Sequence, residues 1–318
     1  MTLTMDDLKQ RLPHRYENLL LDSCTKIEDS ETNTATFSIN IGPEDPLNRM
    51  LFSKQKTSSQ HTILEATFME ILALASISSS GTIREDQLIF FTSISHFTKT
   101  GDFRVGEHIT GSTTQLKSKN DMFKYQGQLF DHEHNLISEG TVMAFLIDIQ
   151  NGIPQTSSKE TSIPEQNMEF KPDLDHLFKV PDMWVCDALI YWDPETRECA
   201  TRYTYPQNHP CVKGHFPGNP VMMGIMQWMG VSDACFCIAK MLKETGKIGQ
   251  YTLSGNATIL KDNGQIVCDI KGFVVEIFMD SPPYLNQSEI IETKKILFRN
   301  TVRPGDTVYF KLFDLVIV

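Results

Sequence analysis

Residues 214–224 read Gly214-His215-Phe216-Pro217-Gly218-Asn219-Pro220-Val221-Met222-Met223-Gly224, and the chain runs on through Ile225-Met226-Gln227-Trp228-Met229. Proline fixes φ and lacks an amide hydrogen, so Pro217 and Pro220, with Gly214 and Gly218, make a stiff loop that cannot be helical. The apolar stretch from Gly224 to Glu244 then has the length and composition of a buried helix. A histidine held by a rigid loop beside a helix start is well placed to move protons. The first N–H groups of that helix lack a carbonyl partner one turn back and can hold a developing oxyanion.

Working outward, the clearest linker is Asn151 to Glu169, NGIPQTSSKETSIPEQNME, which is polar, holds two prolines and has almost no apolar anchors. It separates residues 1–150 from residues 170–318, and the two parts follow one plan. Each opens on a short polar and apolar segment, Leu12 to Asp22 and Leu177 to Asp187. Each continues into one apolar helical stretch, His61 to Ser78 and Gly224 to Glu244. β-type runs follow: Gln87–Thr92, His108–Leu116, Phe123–Phe130 and Gly140–Ile147 in the first part, and Tyr251–Leu260, Gln265–Glu276 and Asp306–Val318 in the second. The phrases Arg104-Val-Gly-Glu107 and Arg303-Pro-Gly-Asp306 each precede a strand-like run. From mid-helix to that phrase the second part is longer by about 35 residues, as an insertion or a rearranged strand order would make it.

Composition bounds the function. In 318 residues, 40% are apolar and 22% charged, which excludes global disorder. A net charge of −11 argues against general nucleic-acid binding, which needs clustered cations. Seven cysteines without a CxxC pair fit free thiols in a reducing cytosol better than a disulfide or zinc framework. The opening MTLTMDDLKQRLPHRY lacks the apolar core of a signal peptide, and no stretch is apolar enough to span a membrane.

The phrase GHFPGNPVMMG resembles the active-site loop of the 3-hydroxyacyl-(acyl carrier protein) dehydratases FabA and FabZ, H-F-x-G-x-P-V-M-P-G, with Met223 where the family has proline. Leu12-Pro-His-Arg-Tyr16 with Leu19-Leu-Leu-Asp22 is similar to the FabZ opening. The resemblance implies an α+β double hotdog: two curved antiparallel sheets, each wrapped around a long helix, packed as a pseudo-dimer. It implies His215 as the catalytic base and Gly224 as the oxyanion-binding glycine. Phe216, Pro217, Gly218, Pro220, Val221, Met222 and Met229 are then expected to line the substrate. The family's acid lies fourteen residues after the histidine, and here that position is Met229, which cannot donate a proton. Ile63-Leu-Glu-Ala-Thr67 resembles the family's helix phrase and puts Glu65 in the acid position of the first half, where Leu51 stands in the histidine position and Gln60 in that of the glycine. One composite site pairing His215 with Glu65, and one dead site pairing Leu51 with Met229, are therefore expected. The implied activity is dehydration of 3-hydroxyacyl thioesters, on acyl carrier protein or coenzyme A, in fatty-acid or polyketide-type synthesis. No cofactor or metal is expected, and further homo-oligomers are compatible. The alternatives are a hotdog thioesterase using Glu65 alone and a non-catalytic acyl-binding module of a larger synthase.

Other features read more blandly. The bland reading of Glu65 is a solvated helix face, with Glu70 nearby in the same helix, and Asp233, one turn after Met229, is a rival acid. Asp131-His-Glu-His134 is a polar hairpin tip rather than a metal tract, and Cys235 and Cys237 are buried helix residues. Lys294, Lys295, Arg299 and Arg303 form a basic group that would suit an acidic carrier or a phosphate.

Overall fold

The computed structural model describes residues 2–12, 14, 19–26, 33–40, 64–79, 84, 87–103, 106–148, 161–174, 177, 179–244, 249–279 and 287–318. The first half contains β1 (Thr2–Leu3), α1 (Met5–Arg11), β2 (Ser23–Lys26), β3 (Thr34–Asn40), α2 (Glu65–Ser79), β4 (Gln87–Lys99), β5 (His108–Lys119), β6 (Met122–Phe130) and β7 (Leu136–Asp148). The second contains β8 (Ala188–Asp193), β9 (Glu198–Thr204), α3 (Gly224–Glu244), β10 (Gln250–Lys261), β11 (Ile266–Phe278), β12 (Gln287–Phe298) and β13 (Thr307–Ile317).

The strands alternate because one face is buried. In β3, Ala35, Phe37 and Ile39 point inward while Thr36 and Asn40 are exposed. α2 differs: all fifteen of its residues are buried, including Glu65 and Glu70. It is enclosed by β5, β6 and β7 on its own sheet and by α3, which rests on β11, β12 and β13. A helix enclosed on every side has no solvent face, so its polar hydroxyls turn back on the backbone. Ser76 Oγ donates to the Leu72 carbonyl and Ser78 Oγ to that of Leu74.

All thirteen strands join in one antiparallel sheet of order β1-β2-β3-β5-β6-β7-β4-β12-β11-β10-β13-β9-β8. Its centre is the pairing of β4 with β12, with Ile94 opposite Ile296 and Phe97 opposite Thr293. On either side of this seam one part of the sheet wraps one helix, seven strands on the side of α2 and six on the side of α3, which is the double-hotdog arrangement. The linker expected at 151–169 lies outside the described residues as far as residue 160. Beyond that, Thr161 binds Gly264 and Asn167 binds Ile190 and Trp192.

The strand order resolves the length mismatch between the halves. Outward from the seam the first half runs β4, β7, β6, β5, β3, and the second runs β12, β11, β10, β13, β9. Position by position, β12 replaces β4, β11 replaces β7, β10 replaces β6 and β13 replaces β5. The helix of the first half is therefore followed by its seam strand, whereas α3 is followed by the hairpin β10–β11 and only then by the seam strand. The extra length reflects a cyclic change of strand order, not an insertion. The recurrent phrase keeps its place: Gly106 (φ 93°) precedes β5 and Gly305 (φ 95°) precedes β13, both next to the strand that follows the first hairpin turn. A left-handed φ in both turns favours glycine. The reading of 131–134 as a hairpin tip between β6 and β7 holds, with Asp131 accepting from the N–H groups of Glu133 and Asn135. The sequence reading did not mark β12, whose mixed segment QSEIIETKKILF carries the seam.

Candidate active site

The rigid loop delivers His215 to the mouth of a cleft between the halves. Among the described residues, a cavity enclosing about 690 Å³, open mouth included, is lined from the second half by His215, Gly224 and Gln227 and from the first by His14, Glu70 and Met69. Phe90, Phe91, Ile94, Phe216, Ile225 and Phe298 make its wall largely apolar.

His215 is 7% exposed. Its Nδ1 lies 2.9 Å from the carbonyl of Val221 on the same loop. A carbonyl only accepts, so Nδ1 carries the proton and Nε2 keeps its lone pair. Burial disfavours the imidazolium and lowers the His215 pKa to about 4, against the weaker pull of the Val221 carbonyl. The imidazole is neutral at physiological pH. The next residue, Phe216, has φ 57°, a conformation costly for a bulky side chain. Its ring is held between Phe90, with centroids 5.4 Å apart, and the rings of His14 and His215 at 5.5 and 4.4 Å.

The carboxyl in this cleft is that of Glu70, not Glu65. Glu70 is buried, and desolvation raises its pKa to about 7, so a protonated fraction exists near neutrality. Its Oε1 is 3.5 Å from Nε2 of His14, and the His14 ring is 5.2 Å from that of His215. Glu65 opens α2, more than one turn earlier, and points elsewhere: its Oε1 accepts from the Ile290 amide of β12 at 3.3 Å. Burial raises the Glu65 carboxyl to about 7 as well, with the Glu289 charge adding and Lys179 opposing. It belongs to the opposite corner of the molecule. The Glu-Ala phrase was matched to the family pattern at Glu65; the carboxyl that lines this cleft stands five residues later on the same helix, and a helix enclosed on all sides gives neither glutamate a solvated face.

The remaining expectations divide. Gly224, Phe216, Val221 and Met222 line the cleft, whereas Pro217, Gly218, Pro220 and Met229 do not. The prolines and Gly218 shape the loop, with Gly218 at φ 84°. Met229 is packed in the core. Gly224 begins α3, and a Cβ there would meet the Phe298 ring at 2.9 Å, so glycine lets the helix start approach the wall. Leu51 and Gln60 lie outside the described residues.

Asp233 sits in the other corner. It is fully buried with Lys179, whose Nζ hydrogen-bonds Oδ1, while the Val185 amide donates to Oδ2 at 2.7 Å. The segment Leu177 to Asp187 repeats Leu12 to Asp22 with equal length, so Lys179 occupies the place of His14. The closing aspartates confirm the match. The amide of Asn40 donates to Asp22 Oδ2 and that of Thr204 to Asp187 Oδ2, while the amides of Asp22 and Asp187 donate to Ser38 and Arg202. His14 and Glu70 line the cleft with His215 and were passed over by sequence reasoning, although His14 stands in the Leu-Pro-His-Arg phrase.

No family model and no curated protein matches the chain. Among solved structures, the dehydratase domain from the CurF module of the curacin polyketide synthase aligns with 96% of this chain and all of its own length, at 11% identity and TM-score 0.47. The dehydratase domain from the CurK module aligns with 92% of this chain and 96% of its own length, at 9% identity and TM-score 0.45. A thioesterase superfamily member from Thermus thermophilus, TTHA0967, aligns with 38% of this chain and 86% of its own, at 10% identity and TM-score 0.32. The chemistry is read from the cleft itself.

Proposed function

We propose that the chain dehydrates 3-hydroxyacyl thioesters at one composite site formed by His215, Gly224 and Glu70. The observation that carries this reading is the meeting, in one apolar cleft across the seam, of a neutral imidazole and a carboxyl raised to about 7. Elimination of water needs a base at the α-carbon and an acid at the β-hydroxyl, and environments that push two groups apart in this way assign the roles.

His215 Nε2 takes the α-proton. The electron pair moves toward the thioester carbonyl, and the developing negative charge is met by the first-turn N–H of α3 at Gly224; one such donor contributes about 3–4 kcal/mol to the transition state. The C–O bond at the β-carbon breaks as Glu70 gives its proton to the departing hydroxyl, and water leaves. The product is the 2-enoyl thioester, and the same groups run the reverse hydration. The apolar walls keep both groups in the protonation states the step requires. The carrier is an acyl carrier protein or coenzyme A. Lys294, Lys295 and Arg303 are exposed and suit either acidic partner, while Arg299 is engaged with Asp269.

The test is incubation with 3-hydroxybutyryl and crotonyl thioesters while enoyl absorbance and free thiol are followed together. Interconversion without thiol release supports the dehydratase. Thiol release with unchanged enoyl absorbance would replace it with a thioesterase, and binding without turnover with a non-catalytic module.

A further inference from the structure

One turnover leaves the two groups in the wrong states. His215 holds the proton taken from the α-carbon, and Glu70 has lost its own to the departing water. The next turnover needs one proton carried from His215 back to Glu70, and both side chains are buried. His14 lies between them. It is 2% exposed, its Nε2 faces Glu70 Oε1 at 3.5 Å, and its ring stands 5.2 Å from His215 at a tilt of 53°.

We propose that His14 is a proton relay that resets the dehydratase site by carrying a proton from His215 to Glu70 after each turnover. The inference rests on the dehydratase reading above. The imidazolium of His215 gives its proton to one ring nitrogen of His14, and His14 releases a proton from Nε2 to the Glu70 carboxylate. One N–H bond breaks and one O–H bond forms overall, and charge is conserved. Exchange with the water just produced restores the starting tautomer. An imidazole suits this because it has two nitrogens and passes a proton through. The equivalent residue in the other half, Lys179, has one nitrogen and anchors Asp233 instead.

His14→Gln separates relaying from mere positioning, because glutamine still hydrogen-bonds Glu70 but cannot carry a proton through its side chain. The experiment is stopped-flow mixing of the full chain with excess 3-hydroxybutyryl thioester, read by enoyl absorbance, with circular dichroism to verify folding. The expected result for His14→Gln is a first turnover within about threefold of the wild type, then a steady state slower by about tenfold or more, in the range of acid–base effects. Added imidazole should restore the steady state without changing the first turnover. His14→Leu provides a second variant should glutamine unfold the chain. A first turnover slowed as much as the steady state, or a steady state indifferent to the substitution or to imidazole, overturns the relay. If the wild type forms no enoyl product, the dehydratase reading falls and the relay with it. If the wild type is active and His14→Gln behaves like it, the relay alone falls.

Discussion

The His14–Glu70 corner and the Lys179–Asp233 corner are one scaffold used twice. Each has a basic side chain eight residues before an aspartate that ties the following hairpin, and each basic group meets a buried carboxyl on the helix of its own half. They differ in what the basic group is. At one corner it is a lysine, and Asp233 receives both its Nζ and the Val185 amide. Burial pushes the Asp233 carboxyl up, and these two donors pull against it. A buried ion pair satisfied in this way holds structure. At the other corner an imidazole replaces the ammonium, no hydrogen bond to Glu70 shorter than the 3.5 Å contact is seen among the described residues, and desolvation alone shifts that carboxyl. A group that must gain and lose a proton is well placed beside an imidazole, which has one nitrogen to take a proton and another to give one. That contrast points to one corner as chemistry and the other as a clamp.

The strongest way to break this contrast is to exchange the acids. His215→Ala and Glu70→Gln should each lower kcat by about 10²–10⁴-fold, the usual worth of a positioned acid or base. Glu65→Gln should leave turnover in place, because its carboxyl faces the Ile290 amide rather than the cleft. Initial rates of enoyl formation decide it. A loss at Glu65 equal to that at Glu70 would return the acid to the residue selected by the sequence phrase.

The clamp should show itself in stability. Lys179→Met leaves the Asp233 carboxylate buried without its cation and should cost about 3–5 kcal/mol, read from the denaturant midpoint. The double variant Lys179→Met with Asp233→Leu removes both charges and should recover most of that loss. His14→Gln should cost less than Lys179→Met, since no full charge is stranded. Equal costs at the two corners would erase the distinction.

The pH dependence comes next in size. His215 must be unprotonated, so kcat/KM should rise with pH through about 4; Glu70 must be protonated, so kcat/KM should fall through about 7. The optimum therefore lies between them, on the acidic side of neutrality. With His14 in contact with Glu70 and His215, the observed values belong to the group as a whole. Glu70→Gln cannot ionise, so its residual activity should lose the alkaline limb. An alkaline limb unchanged in that variant assigns it to another residue.

How far the sequence reaches is visible at particular residues. The loop from Gly214 to Gly224 was legible because two prolines and two glycines leave few backbone choices, and α3 begins at Gly224 as that reading required. A histidine loop without its own helix acid led to the expectation of a site drawing on both halves, and the cleft is lined from both. That Glu70 rather than Glu65 faces the cleft was not legible, because it takes the helix register, which one phrase does not fix. The cyclic strand order was not legible either: β12 is too mixed in composition to read as a central strand, yet it forms the seam. His14 was hidden by distance, with fifty-five residues between it and Glu70. Its meaning emerges only when Leu12 to Asp22 is laid over Leu177 to Asp187 and the lysine of one falls on the histidine of the other.

The smallest expected effect sharpens the same overlay. Asp22 and Asp187 do one job at the two corners, each accepting an amide of the next strand, from Asn40 and from Thr204 at 2.8 Å. If the corners share their scaffold and differ only in chemistry, Asp22→Ala and Asp187→Ala should each cost about 1 kcal/mol, the typical net loss of one hydrogen bond, since both aspartates are exposed. The two costs should agree, and neither change should alter the pH profile. Thermal unfolding of both variants under one buffer measures the stability loss, and the enoyl assay measures the profile. A loss at Asp187 alone would mean that the first-half copy has lost its structural role. A shift of the alkaline limb in Asp22→Ala would mean that the segment carrying His14 is aimed by this aspartate, and that the scaffold at the active corner has been tuned beyond the copy at the clamp.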